Sequence, residues 1–167
     1  MASPSSPSLP TIEQIRSLST EQRAHILDLL FEPSQQLHTL TVELLATQAF
    51  TSYDDLIAAV GVQLTELAES PSTSDTAWLE GILGSHPRLG AKKVDSAQSQ
   101  AEQANLQKGS EAEAEQLKKL NEEYERTYPG LRYVVFVNGR DRPTIMEDMK
   151  RRIALEDVKG ERLAAIK

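Results

Sequence analysis

The chain has 167 residues, of which 39% are hydrophobic and 26% are charged, and its net charge is −7. This composition suits one globular domain with a single core. The negative charge argues against nucleic-acid binding, which needs Lys and Arg side chains to neutralise phosphates. The chain contains no cysteine, which excludes disulfide bonds, thiol nucleophiles and cysteine-ligated zinc. No apolar run reaches the roughly 20 residues that a membrane-spanning helix needs.

The first ten residues, MASPSSPSLP, are rich in serine and proline, and we expect them to form a disordered leader. One helical domain is expected to cover residues 11–167. Capping boxes of the form Ser/Thr-x-x-Glu/Gln predict helix starts at Thr11, Ser19 and Ser110.

Apolar spacing of three and four residues predicts helices along most of the chain. Ser52 is the predicted N-cap of a helix whose inward stripe includes Ile57, and residues 70–75 form a predicted loop. The other helices predicted from spacing cover residues 34–48, 77–83, 97–106, 111–127, 143–155 and 159–167.

Residues 132–137, RYVVFV, are the one strongly β-like run, and no second run is available to pair with it. We therefore expect a buried extended segment between helices, called the extended segment below. The predicted fold is all-α: a single-domain bundle of about seven to nine helices with one short extended segment.

Among the three histidines, His86 is the best candidate for chemistry because it lies in a Gly-Ser-His-Pro loop directly after a helix. His25 and His38 lie on amphipathic helices and are interpreted as surface residues. A second candidate cluster comprises Ser99, Glu102 and Gln103, which share one helix face. In both cases a purely structural role is the alternative.

Metal and cofactor motifs are absent from the sequence. No histidine pair has metal-ligand spacing, no Gly-x-Ser-x-Gly elbow presents a serine nucleophile, and no glycine-rich loop is built to cradle a phosphate.

The order His86-Pro87-Arg88-Leu89-Gly90, then Ser99-x-x-Glu102-Gln103, resembles the 2-oxo-4-hydroxy-4-carboxy-5-ureidoimidazoline (OHCU) decarboxylase family of urate breakdown. The resemblance runs over residues 18–155. Arg88 departs from the family pattern, which usually has Asp at this position. Further landmarks of the resemblance are Leu120-Asn121-x-x-Tyr124, the extended segment, and Ile145-Met146 with Arg151-Arg152.

The resemblance implies decarboxylation of OHCU to (S)-allantoin without a metal or other cofactor. It implies that His86 is the acid/base and that Glu102 orients it or contacts the substrate. The substrate-binding residues that it implies are Pro87, Ser99, Gln103, Tyr133, Val134, Val135, Phe136, Val137 and Arg140. For residues 133–137 we expect binding through backbone groups, because a segment without a strand partner leaves them unpaired.

The resemblance also suggests a homodimer that binds a small molecule. From the charge and the apolar pattern we expect no nucleic acid and no membrane as partner. The chain ends in Ala-Ala-Ile-Lys and not in Ser-Lys-Leu, so we expect a cytoplasmic protein, with peroxisomal import by another route left open. The alternative function is a non-catalytic helical interaction module that keeps the decarboxylase fold. Convergence of His86 and Glu102 on one pocket would favour the enzyme.

Overall fold

The computed structural model describes residues 8–90 and 110–166, and all regular elements within these ranges are helices. The predicted all-α fold is confirmed, and the eight helices of the described residues fall within the predicted number. The elements are a 3-10 helix, Ile12–Ser17, followed by α1 Thr20–Leu30, α2 Gln35–Thr47, α3 Tyr53–Glu69, α4 Thr73–Leu83, α5 Glu111–Thr127, α6 Arg142–Leu155 and α7 Val158–Ile166.

Side-chain caps define most of the helix starts. Ser19 forms the predicted capping box, with Gln22 N–H donating to Ser19 Oγ and Ser19 N–H donating to the Gln22 side chain. The predicted caps at Ser52 and Ser110 also accept backbone N–H groups. Each cap satisfies a donor that the first helical turn leaves unpaired, so short polar residues set these boundaries.

One predicted capping box does not form, and one predicted helix start was wrong. Thr11 precedes a 3-10 helix and makes no side-chain cap, because its backbone carbonyl accepts the Gln14 N–H instead, at 3.0 Å. Helix α4 begins at Thr73, four residues before the predicted start and inside the predicted loop. Its first turn is polar and largely exposed, so it carries no apolar signal.

Two other predictions fall on residues that the structure leaves undescribed. The helix predicted over residues 97–106 lies outside the described residues, and so does most of the predicted leader. Pro10, at the end of that leader, is described, and its carbonyl accepts a hydrogen bond from the Tyr53 hydroxyl at 2.7 Å.

The described residues group into two compact units, Met1–Glu66 and Leu67–Lys167. In the first unit the 3-10 helix and α1 both pack on α2. Ile57 on α3 is 40% exposed, so its predicted inward position was wrong. The buried row of α3 follows a four-residue spacing, and Ile57 is rotated away from it. The buried apolar residues of this unit include Ile15, Ile26, Leu27, Leu37, Leu45, Leu56, Val60 and Leu64.

In the second unit α5 packs on α6, and α4 packs on α7. The buried residues of this unit include Leu79, Leu83, Leu117, Tyr124, Tyr128, Ile145 and Met149. Within residues 8–90 and 110–166, none of the helices combines the length and the apolar character needed to cross a membrane.

The extended segment has neither helix nor strand structure, as predicted. Tyr133 and Val137 are buried, whereas Phe136 is 66% exposed, so the expectation of burial fails at that residue. The alternating exposure follows from side chains that point to opposite sides of an extended backbone.

Candidate active site

The loop that carries His86 is fixed through its main chain. His86 is half-buried, and its carbonyl accepts a hydrogen bond from Arg132 Nη1 at 2.8 Å. Further along the loop, the buried Asn121 amide donates to the Leu89 carbonyl at 3.1 Å. Arg132 begins the extended segment and Asn121 lies on α5, so the loop is tied to both elements.

The sequence departs from the family pattern at Arg88, and there the structure shows a bidentate ion pair. Arg88 donates to both carboxylate oxygens of Glu125 on α5, with Nε and Oε1 3.0 Å apart. The hydrogen bond and charge of Glu125 raise the pKa of Arg88. Arg132 Nε lies 3.8 Å from the same Glu125 oxygen. The Arg88 charge is therefore balanced on the α5 side of the loop.

Gly90 closes the loop in a backbone conformation with φ of +76°. A Cβ atom at this position would lie 2.7 Å from Leu117 Cδ2. Both the positive φ and the close leucine favour Gly at this position.

Three predicted site residues, Ser99, Glu102 and Gln103, lie outside the described residues. Their convergence with His86 therefore stays a prediction. His86 and Pro87, which are half-buried, lie in the loop between α4 and the undescribed residues.

Arginine side chains occupy carbonyl groups of the extended segment. Arg140 Nη2 donates to the Phe136 carbonyl at 2.5 Å, and Arg140 Nε donates to the Val137 carbonyl at 3.1 Å. Arg152 Nη1 donates to the Val134 carbonyl at 2.9 Å. Arg140 is predicted to face the substrate, and two of its three nitrogens donate hydrogen bonds to the backbone of the segment.

The N–H groups of the extended segment have a different environment from its carbonyls. From Tyr133 to Val137, no backbone N–H donates a hydrogen bond to another described residue. Unpaired backbone N–H groups need acceptors, so this row of donors suits a ligand rich in carbonyl and carboxylate oxygens. Among the described residues, three carbonyls of the segment accept arginine N–H groups, so the expected free backbone fails for those carbonyls and stays a prediction for the N–H groups.

Beneath the extended segment lies a buried polar cluster. Arg152 on α6 binds Glu161 on α7, with Nη2 and Oε2 2.6 Å apart. Tyr124 on α5 donates to the same carboxylate at 2.5 Å. The Tyr133 hydroxyl donates to Asp148 on α6. We refer to Tyr124, Tyr133, Asp148, Arg152 and Glu161 as the polar cluster.

Protonation in the polar cluster follows from burial and from these bonds. Burial raises the pKa of Tyr124, and the hydrogen bond to Glu161 raises it further. Burial opposes ionisation of Asp148, but the bonds from Tyr133 and Arg151 prevail and lower its pKa. Burial also opposes the charge of Arg152, and Glu161 reverses that effect, so the pKa of Arg152 is raised. The pKa of Tyr133 is raised as well, mainly by burial. At neutral pH the hydroxyls of Tyr124 and Tyr133 are therefore hydrogen-bond donors, while Asp148 and Arg152 are charged.

No group of three or more His, Asp or Glu side chains is arranged to hold a metal ion within the parts of the chain that the structure describes.

The family of this chain follows from comparison with known proteins. The sequence profile of the OHCU decarboxylase family matches residues 16–167. The chain belongs to the OHCU decarboxylase family. Among individually curated proteins, none matches the chain closely enough to count as a relative.

Membership of the OHCU decarboxylase family implies a decarboxylase of urate degradation that acts on a small molecule. The match confirms the resemblance and extends it beyond residue 155 to include α7. Helix α7 carries Glu161, which belongs to the polar cluster and was not predicted from the sequence. Nothing local distinguishes this glutamate from exposed ones, because only the three-dimensional fold brings it to Arg152.

Proposed function

We propose that this OHCU decarboxylase family member decarboxylates OHCU and releases (S)-allantoin without a cofactor. The observation that carries the proposal is the family match over residues 16–167, in a chain whose His86-Pro87 loop is anchored to the extended segment. The extended segment supports the proposal, since its backbone N–H groups suit the oxygen-rich substrate.

The substrate itself explains why no cofactor is needed. OHCU carries a carboxylate and a hydroxyl on one ring carbon, next to a C=N bond. When the bond to the carboxylate breaks, CO₂ leaves and its electron pair forms a C=C bond between the hydroxyl carbon and the ureido-bearing carbon. The π pair of the C=N bond moves to the nitrogen, which takes up a proton. The ureido-bearing carbon then receives a proton as the hydroxyl carbon becomes a carbonyl and the hydroxyl proton is lost. Overall, one proton is taken up for each carboxylate lost as CO₂.

Within this scheme His86 delivers the proton to one face of the ring. Imidazole titrates near neutral pH and can both give and accept a proton there. We assign Glu102 to orient His86 or to contact the substrate hydroxyl. Ser99 and Gln103 are assigned to the ring and ureido atoms, on the basis of the family pattern.

The extended segment supplies fixed donors in the proposed complex. Its N–H groups bind the carboxylate and carbonyl oxygens, and such preorganised donors stabilise charge that develops during the reaction. Arg140 is proposed to act beside them. Its guanidinium is anchored on Phe136 and Val137 and presents its positive charge to the substrate carboxylate.

We further propose that the enzyme is a homodimer, as the resemblance suggests, and that it is located in the cytoplasm. Sedimentation velocity is then expected to give twice the chain mass of 18.5 kDa, and a single-chain mass would contradict the dimer. Imaging of a tagged chain distinguishes the cytoplasm from peroxisomes.

The experiment that tests the proposed function starts from urate. Fresh OHCU is generated with urate oxidase and hydroxyisourate hydrolase, the full chain is added, and circular dichroism follows the allantoin. Rapid formation of optically active (S)-allantoin is expected. Slow, racemic allantoin at the rate seen without the chain would contradict the proposal and favour the non-catalytic module.

A further inference from the structure

Two buried charges in the polar cluster have no role in the proposed chemistry. The side chains of Arg152 and Glu161 are 9% and 6% exposed. Arg152 Nε lies 3.0 and 3.1 Å from the two carboxylate oxygens of Glu161, and Nη2 makes the shorter bond described above. Tyr124 completes the coordination of the carboxylate. Apart from the ion pair of Arg152 with Asp148 on the same helix, with 3.7 Å between Nη1 and Oδ2, these contacts join different elements of the second unit.

Stability alone is a poor explanation for such a pair. Removing two charges from water costs several kcal/mol per ion, and well-packed apolar residues of similar volume often serve equally well or better. A buried Arg–Glu pair is therefore more informative about geometry than about stability. The rigid fork of a guanidinium, once held by a carboxylate, fixes the direction of its remaining N–H groups.

The remaining N–H groups of Arg152 point to the extended segment. Nη1 donates to the Val134 carbonyl at 2.9 Å, and the guanidinium carbon lies 4.5 Å from the centre of the Tyr133 ring. Tyr133 is fixed a second time by Asp148, one helical turn before Arg152. Two consecutive residues of the segment are thus tied to α6.

A segment held in this way differs from a strand in a sheet. No strand within residues 8–90 and 110–166 pairs with it, so side chains must set the position of its backbone. Arg152 holds it near its start and Arg140 holds it at its end. Both arginines bind carbonyls, and no described residue accepts a hydrogen bond from the N–H groups of residues 133–137.

We infer that Arg152 and Glu161 are positioning residues that fix the extended segment so that its N–H groups meet the substrate. The inference rests on the proposed function, because it assigns the substrate oxygens to those N–H groups. Neither residue touches the reacting atoms. Their loss should therefore weaken substrate binding more than it slows the chemical step at saturation.

The first variant that tests the inference is Arg152→Lys. Lysine retains the charge opposite Glu161 but lacks the planar fork that also reaches the Val134 carbonyl. We expect KM to rise by about tenfold while kcat stays within about threefold of the wild type. The matched control is Arg126→Lys, the same exchange at an exposed arginine of α5, which should change neither constant.

A readout independent of activity is the set of backbone amide NMR signals of residues 133–137. They should shift in Arg152→Lys and in the milder variant Glu161→Gln, and stay in place in Arg126→Lys. An unchanged KM, or unchanged amide signals, in folded Arg152→Lys and Glu161→Gln would overturn the inference even if thermal stability falls. If the wild type fails to make (S)-allantoin while the signals shift, the proposed function fails and the positioning of the segment stands.

Discussion

The His86 loop is anchored through the main-chain carbonyls of His86 and Leu89, which survive replacement of the His86 side chain. We therefore expect His86→Ala to keep the helical circular dichroism of the wild type while (S)-allantoin formation is lost. The loss should exceed about a hundredfold, the lower range for general acid–base catalysis. His25→Ala on α1, an exposed histidine, is the matched control and should retain full activity. Substantial stereospecific activity in His86→Ala would remove His86 from the mechanism.

Arg132 acts on the same loop through its hydrogen bond to the His86 carbonyl. Arg132→Gln should lower kcat/KM by about tenfold, because a charge-assisted hydrogen bond contributes about 1.5 kcal/mol to the position of the loop. Arg126→Gln, at an exposed position of α5, gives the comparison. Equal values of kcat/KM for the two variants would show that the Arg132 bond does not position His86.

The cation at Arg88 replaces the aspartate usual in the family, yet its charge is paired with Glu125. Nearly half of the Arg88 side chain is exposed, and exposed ion pairs contribute about 0–1 kcal/mol. Arg88→Ala should therefore change the free energy of unfolding by less than about 1 kcal/mol and kcat/KM by less than about threefold. Steady-state kinetics and urea unfolding measure both. A tenfold change in kcat/KM would instead assign Arg88 to substrate recognition.

At the scale of elements, the polar cluster links α5, α6, α7 and the extended segment. Burial and Glu161 raise the pKa of Tyr124. The folded protein therefore keeps this hydroxyl protonated at alkaline pH values at which the unfolded chain loses the proton. Its contribution to stability is fully present below about pH 10 and is lost as the pH rises further. The cluster therefore predicts a loss of stability at alkaline pH.

Tyr124→Phe tests that pH dependence. The variant should lose about 1.5–3 kcal/mol of unfolding free energy near pH 8, because the bond to a charged carboxylate is gone. Its stability should then fall less steeply than that of the wild type above about pH 10, since one group no longer titrates. Urea unfolding across this range provides the comparison. Parallel curves for the two proteins would contradict the assignment.

The elements also show what the sequence could predict. Ser19, Ser52 and Ser110 were recognised as helix starts, because capping depends on residues three positions apart. The start of α4 at Thr73 was missed, because its polar first turn lacks the apolar spacing on which the prediction relied. A helix start can therefore be predicted from the sequence where neighbouring residues form a recognisable capping or apolar pattern.

The candidate site was less predictable than the helices. His86 and the extended segment stood out by their loop position and β-like composition. Glu161 did not, because an isolated glutamate on an amphipathic helix is usually solvated, and its burial depends on contact with Arg152, nine positions earlier. Arg140 was expected to face the substrate, but its bonds to backbone carbonyls depend on a turn that the sequence pattern did not reveal.

At the scale of the whole molecule, the family match over residues 16–167 includes both compact units. The catalytic assignment uses residues of the second unit, where the His86 loop, the extended segment and the polar cluster are joined by hydrogen bonds. Decarboxylation in urate degradation follows from the family, and the identity of substrate and product is the central claim.

The most direct test of that claim is the optical activity of allantoin formed from freshly generated OHCU. The full chain should yield (S)-allantoin well above the spontaneous rate. With the same concentration of His86→Ala, allantoin should form slowly and as a racemate. Racemic allantoin at the spontaneous rate with the wild-type chain would contradict the account.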